Sequence, residues 1–151
     1  MPVLGSLLDS PAAIIAQLMI DLSAATDPTS NLAWPVSVDS ELDTPDNMMT
    51  FTNTEGFQEG RVQQTGEMSS LPGFQLKVRA ADPEVAYAKA QALAVIFDQV
   101  VYHNTVTVGS NVYRVGAITR KGNVLYLGRE GSGSKRTLYT VNAIVDIIQT
   151  A

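Results

Sequence analysis

The chain has 151 residues, of which 45% are hydrophobic and 17% charged, with a formal net charge of -5 and a pI near 4.7. This length fits a single domain over residues 1–151, and the composition supplies enough apolar side chains for one core. The negative charge argues against stable binding to nucleic acid or to an anionic membrane. The absence of cysteine excludes disulfides and thiolate chemistry.

A helix is predicted near the N-terminus, beginning at Ser10 and Pro11. Serine is a preferred N-cap, and proline is tolerated at the first helical position. Apolar residues then recur at helical spacing from Ile14 to Leu22. No basic residue precedes this apolar run and Asp9 interrupts it, so the pattern predicts a helix facing a core and neither a signal peptide nor a membrane anchor.

Two short strands are predicted next, around an acidic stretch. Residues 34, 36 and 38 alternate in polarity with their neighbours, and Met49 and Phe51 do so after the stretch DSELDTPD. The simplest interpretation is a pair of strands joined by a turn, with Pro35 placing the first strand at a sheet edge. The acidic stretch lacks the glycine and terminal glutamate of a calcium loop, so a solvated turn is favoured over a cation site.

The segment Glu55–Pro72 is predicted to be a long loop or the tip of an extended hairpin. It contains three glycines, little periodicity and few large apolar residues. Loops longer than about 12 to 15 residues are uncommon inside compact domains and are often functional. A plain surface loop and an interaction arm both remain open.

A strand running directly into a helix follows. Phe74, Leu76 and Val78 alternate with polar residues, which is typical of a half-buried strand. Asp82 and Pro83 then supply a helix N-cap and a first helical residue. The alanine-rich residues up to Val100 predict a second helix with one broad apolar face that lies on a sheet.

The rest of the chain predicts four strands. NTVTVGS and NVYRVGAITR are separated by turn residues, residues 121–123 predict a second reversal into VLYLGRE, and KRTLYTVNAIVDIIQT predicts a long closing strand. The predicted fold is therefore α+β: an antiparallel or mixed β-sheet with two α-helices on one face, plus the long loop or extended hairpin.

Few residues suggest catalysis. His103 is the only histidine, and the sequence lacks the common motifs for zinc, calcium or an activated serine. GREGSGSKRT has a serine between Gly133 and Lys135 and a strand-like run after it, so it does not match a phosphate-binding P-loop. We expect no enzyme activity, cofactor or metal, although a small hydrolase or nucleotide-binding enzyme stays as the rival hypothesis.

The order of these segments resembles the tail terminator, or tail completion, proteins of long-tailed bacteriophages. The similar features are the strand ending in Arg79, the helix start at Asp82 and Pro83, the alanine-rich helix, the glycine before VLYLGRE, and Arg136 opening the final strand. The likeness covers nearly the whole chain.

This resemblance implies a structural virion protein without cofactor or turnover. Such a protein forms a ring, usually of six copies, at the head-proximal end of the tail tube, where it ends tube polymerisation. Its implied partners are copies of itself, the tail tube protein, and a neck, connector or stopper protein. Double-stranded DNA passes through the lumen without specific binding, and no membrane is involved. The implied location is the tail or neck of a virion assembled in the host cytoplasm, and another neck component, such as a head-closure protein, is the alternative.

Candidate contact residues follow from composition. An aromatic ring, an arginine and polar amides in a long loop are typical of protein interfaces. The second candidate segment is the glycine-rich tip near the last strand. The predicted subunit or tube contacts are Phe57, Arg61, Val62, Gln63, Gln64, Arg129 and Lys135.

Overall fold

A computed structural model describes residues 7–22, 34–41, 46–61, 68–100, 104–129 and 136–149. The elements in chain order are α1 (Pro11–Asp21), β1 (Val36–Val38), β2 (Met48–Arg61), β3 (Met68–Ala80), α2 (Pro83–Gln99), β4 (Asn104–Val108), β5 (Asn111–Arg120), β6 (Leu125–Arg129) and β7 (Thr137–Gln149). The α+β prediction is confirmed, since two helices pack on a mixed sheet.

Both helices begin where the sequence predicts. The Ser10 side chain accepts a hydrogen bond from the Ala13 backbone N–H at 3.2 Å, and the Asp82 side chain accepts one from Glu84 at 2.9 Å. Each cap therefore satisfies one of the four N–H groups that a helix start leaves without an intrahelical partner.

The sheet has the strand order β1-β2-β3-β7-β5-β4, and β6 pairs with β7 outside this path. Helix α1 packs against both β1 and β4, which stand at opposite ends of that order, so the sheet curls around the helices. Helix α2 lies on β3, β7 and β5. The inward side chains of the two helices and of every strand except β6 form one core.

Three phenylalanines stand at the centre of this core. Phe51 from β2, Phe74 from β3 and Phe97 from α2 are fully buried. Their ring centroids are 5.3 to 6.5 Å apart in tilted or edge-on arrangements, the geometry that aromatic quadrupoles favour. This cluster fixes α2 to the middle of the sheet.

The predicted turn between the first two strands is wrong, because β1 and β2 are parallel. Val38 lies level with Phe51, while β2 begins at Met48. Strand β2 therefore starts near the level where β1 starts, and the two strands run side by side in the same direction. The prediction that β1 lies at a sheet edge is confirmed.

The predicted second reversal at residues 121–123 is also wrong. Both β5 and β6 are antiparallel to β7, so β6 continues in the direction of β5 after a short interruption. The Lys121 backbone N–H donates to the Asn142 carbonyl at 2.8 Å, which keeps the interrupted chain beside β7. As a result β5 borders the C-terminal half of β7, and β6 borders its N-terminal half.

Candidate assembly surface

Strand β6 exposes apolar side chains on both of its faces. Leu125, Tyr126 and Leu127 have 56%, 57% and 44% of their surface exposed. Since successive side chains of a strand point to opposite faces, Tyr126 points to the helix side and Leu125 points to the other side, while Leu127 lies where the register with β7 shifts. Among the described residues, β6 pairs only with β7, so its second edge is open. We call Leu125, Tyr126 and Leu127, with this open edge, the β6 surface.

An aromatic row connects the β6 surface to α2. The Tyr139 ring of β7 lies 5.4 Å from the Tyr126 ring and 5.5 Å from the Tyr87 ring, measured between centroids. Tyr87 is itself half exposed, and Val85 is exposed as well. The first turns of α2 therefore extend the exposed apolar area beyond β6.

Strand β1 forms another open edge of the sheet. Met49 N–H donates to the Pro35 carbonyl and Asp39 N–H donates to the Phe51 carbonyl, at 3.0 and 2.8 Å. Because backbone groups of alternate residues point to alternate sides of a strand, the N–H and C=O groups of Val36 and Val38 point away from β2. In the described part of the chain no other strand pairs with them.

Two residues with an unusual backbone conformation flank β1, one before the strand and one after it. Trp34 and Asp39 have φ angles of 62° and 63°, the left-handed region that few non-glycine residues adopt. The ammonium group of Lys89 lies 5.5 Å from the centre of the Trp34 ring, a cation–π contact. Partial burial against this region lowers the pKa of Lys89.

The hairpin of β2 and β3 replaces most of the predicted loop. Its described residues in the range 55–72 are strand, so the extended-hairpin alternative holds for them. The register shifts between Thr54 and Phe57. Gly56 has a φ of 67°, and a Cβ placed on Gly73 would lie 2.5 Å from the Gly56 nitrogen. Only glycines therefore allow the two strands to come so close at this irregularity.

The predicted contact residues fall in three places. Phe57 and Arg61 belong to the far part of β2, and the structure does not bring them next to the β6 surface. Arg129 is exposed and ends β6. The remaining predicted contacts, Val62, Gln63, Gln64 and Lys135, lie outside the described residues, as does His103.

Charge is distributed very unevenly along the chain. Residues 1–67 contain ten acidic residues and one basic residue, a net charge of -9, whereas residues 68–151 contain five acidic and nine basic residues, a net charge of +4. The first part forms α1, β1 and β2, and the second part forms the strands around β7. The acidic part of the chain therefore supplies the edge strand β1, and the basic part supplies β6.

Ion pairs inside the subunit neutralise part of this charge. Lys77 Nζ lies 2.7 Å from Glu41 Oε1, and Arg136 Nη1 lies 3.7 Å from Asp46 Oδ1. Arg79 is only 2% exposed and donates to the Asp46 carbonyl at 3.2 Å. Among the described residues, Asp39 is exposed directly after β1, and Lys121 and Arg129 are exposed before and at the end of β6.

A groove of about 430 Å³ lies between the end of α2 and the β5–β6 interruption. Arg120 crosses it, donating from Nε and Nη2 to the two carboxylate oxygens of Asp98 at 2.9 and 2.8 Å. These bonds raise the pKa of Arg120. Because the guanidinium is already held by a bidentate carboxylate, the groove offers no free cation at that position.

Within the described residues, no cluster of His, Cys, Asp and Glu side chains is suited to hold a metal ion. No helix in the same part of the chain is long and apolar enough to cross a membrane.

Comparison with known proteins assigns no family to this chain. No protein-family model matches it, and no curated protein matches it. Among solved structures, 14 chains match. One of them, a protein whose name states no function, is 15% identical, covers 91% of this chain and is covered over 96% of its own length, with a TM-score of 0.44. A likeness this distant carries no functional argument.

Two sequence signals for the β6 surface were available but were not used in the prediction. The run VLYL is apolar at every position, which is typical of a strand covered on both faces and not of a half-exposed strand. The charge difference between the two parts of the chain is the second signal. Both signals mark β6 as an apolar strand within the basic part of the chain.

Proposed function

We propose that this chain is a structural virion protein of the tail terminator class. In this proposal it forms a ring of six copies at the head-proximal end of a phage tail tube, ends tube polymerisation, and joins the tail to the neck. It acts by assembly and not by catalysis. The sequence resemblance supplies the class, and the β6 surface is the observation that carries the assembly role.

The β6 surface supports assembly because its exposure is costly. Fully burying a leucine side chain contributes about 1.5–3 kcal/mol, and Leu125 and Leu127 are each about half exposed. An edge strand with apolar side chains and unpaired backbone groups is also a template for unwanted pairing. A defined protein contact that covers this strand removes both costs at once.

The net charge is compatible with DNA passing through such a ring. Six copies at -5 each carry -30 in total, so the average field repels the phosphate backbone. DNA is therefore not held by the ring as a whole. This reasoning applies equally to the alternative, another neck component such as a head-closure or stopper protein.

The first test is the mass of the purified protein in solution, combined with negative-stain electron microscopy. We expect a closed ring that caps the ends of preassembled tail tubes. A chain that stays monomeric at high protein concentration would contradict the proposal. A ring that binds portal or connector complexes and ignores tail tubes would favour the alternative neck component.

The hairpin arm of β2 and β3 is the second contact to test. Deleting residues 58–66 removes the far end of the hairpin, while the pairing of Met48–Thr54 with Gly73–Arg79 stays. We expect the shortened chain to fold as a monomer and to lose ring formation or tube binding. The measurements are circular dichroism for folding, solution mass for the ring and a tube pull-down. A shortened chain that forms an intact, tube-binding ring would refute the arm as a contact.

A further inference from the structure

The two open edges β1 and β6 lie at the same level of the sheet. The pairings join Val36 to Met49, Met49 to Val78, Val78 to Tyr139, and Tyr139 to Tyr126. One row of the sheet thus runs from β1 through β2, β3 and β7 to β6. In this half of the molecule β1 and β6 are the two ends of a five-stranded sheet.

The two edge strands run in opposite directions. Strand β1 is parallel to β2, whereas β3 is antiparallel to β2, β7 is antiparallel to β3, and β6 is antiparallel to β7. Strand β6 therefore runs opposite to β1. If a second copy is placed beside the first in the same orientation, its β1 approaches β6 as an antiparallel neighbour, the more common type of pairing.

The charges near these edges are complementary. Asp39 is exposed directly after β1, and Lys121 and Arg129 are exposed before and at the end of β6. The larger distribution agrees, because the β1 side of the sheet belongs to the acidic part of the chain and the β6 side to the basic part. A contact between two β6 strands would instead bring the basic sides of two copies together.

We propose that β6 of one copy pairs with β1 of the next copy, so that the sheet continues from subunit to subunit. This inference rests on the proposed function, since it names the contact that closes the ring. The contact joins two different surfaces, so each copy keeps one free edge and more copies add until the chain of subunits closes. Because both edges lie at one level, successive copies do not climb along the strand axis, which favours a ring over a helical filament.

Covalent cross-linking tests this contact directly. The chain has no cysteine, so introduced thiols are the only reactive ones. Ser37 and Leu125 belong to one row of the sheet and point to the same face, and Leu127 follows two residues later, where the register of β6 with β7 shifts. The variants S37C/L125C and S37C/L127C therefore cover two registers of the proposed pairing.

A disulfide inside one subunit cannot mimic the result. Strands β1 and β6 are separated by β2, β3 and β7, which corresponds to four strand spacings, roughly 19 Å along the sheet. A disulfide needs Cα atoms within about 7 Å of each other. Every cross-link between these positions must therefore join two copies.

We expect mild oxidation of at least one double variant to give a ladder of covalent oligomers up to the mass of the ring, which a reducing agent reverses. The single variants S37C and L127C should give no ladder alone, and should give covalent dimers when the two proteins are mixed. Replacing S37C by T107C on β4, another edge strand, is the matched control and should give no ladder.

Four results would overturn the inference. Covalent dimers from L127C alone, without a ladder from the double variants, would show that β6 pairs with β6. A ladder from T107C/L127C would assign β4 as the partner. An intact ring without cross-links would refute this strand pairing and leave the proposed function standing, whereas a monomer would refute both.

Discussion

The two halves of β7 have opposite surroundings. Its C-terminal half is bordered by β5, whose inward residues Tyr113 and Val115 are completely buried under the helices. Its N-terminal half is bordered by β6, which is exposed on both faces. Strands β5 and β6 run in the same direction beside β7. They differ in whether the helices cover them. We infer that the β5 half holds the subunit together and that the β6 half is left for a partner.

The helices explain where this division lies. Helix α2 packs on β3, β7 and β5, and α1 packs on β1, β2, β3 and β4. In the described part of the chain, only the first turns of α2 reach toward β6, through the contact of Tyr87 with Tyr139. A second copy could therefore cover β6 without displacing any element of the core.

The largest expected effect is on the free energy of unfolding. It appears when an aromatic residue packed over the β5 half of the sheet is compared with one on β6. Phe97→Ala removes the α2 member of the phenylalanine cluster and should lower the free energy of unfolding by about 3–5 kcal/mol. Tyr126→Ala removes an exposed ring from β6 and should cost the monomer no more than about 1.5 kcal/mol, the upper value for an aromatic pair. Urea denaturation at dilute protein concentration measures both. Equal losses would contradict the division of β7 into a structural half and an assembly half.

A hydrogen-bond network connects β5 to the residue before α1. The Tyr113 hydroxyl donates to Asp9 Oδ2 at 2.6 Å and accepts from the Asp9 backbone N–H at 2.9 Å. Asn111 Nδ2 donates to the same carboxylate oxygen at 3.0 Å. The residue preceding the α1 cap is thereby tied to β5, which closes the core at this end.

Tyr113→Phe should lower the free energy of unfolding by about 1.5–3 kcal/mol at neutral pH, because it removes a hydrogen bond to a charged group. Burial and the bond to Asp9 raise the pKa of Tyr113 in the folded chain. The stabilisation is therefore fully present below the ordinary tyrosine pKa of about 10 and is lost as the pH rises through the raised folded value. Unfolding measured from neutral to alkaline pH checks this sign.

The control for this prediction is Tyr126→Phe on the open half, which should change the stability of the monomer by no more than about 0.5 kcal/mol, as is usual for exposed positions. Wild type should lose stability at alkaline pH more steeply than Tyr113→Phe. Parallel alkaline slopes in the two proteins would show that the Asp9 network does not distinguish the β5 half.

Local signals made the helices and most strands predictable. The cap at Ser10 and the cap at Asp82 each lie within three residues of the N–H that they bind, so a short stretch of sequence contains the whole interaction. The alternation of Phe74, Leu76 and Val78 likewise reports burial at one strand. These parts of the fold follow from neighbours in sequence.

The topology around β1 and β6 depends on distant partners and was predicted wrongly. Glycine and asparagine at 122 and 123 are typical of a hairpin turn, but Lys121 bonds to Asn142 and the chain continues beside β7. No local pattern states that β1 pairs parallel to β2, because that choice depends on where β3 and α1 already lie. The predicted contacts did not include Leu125 and Leu127, whose exposure depends on which strands the helices leave uncovered.

The last prediction concerns two substitutions that should change the stability of the monomer equally but should differ in their effect on the ring. Leu127 on β6 and Val95 on α2 are both 44% exposed, so Leu127→Ser and Val95→Ser remove similar apolar surface from the two regions. Each should lower the stability of the monomer by a similar amount, about 1 kcal/mol, because about half of each side chain is buried. Only Leu127→Ser should weaken the ring, because only Leu127 belongs to the proposed strand contact, and the dissociation of the ring on dilution measures this. Equal weakening would extend the contact to α2, while a ring unchanged by Leu127→Ser would remove β6 from it and leave the open half of β7 without an assembly role.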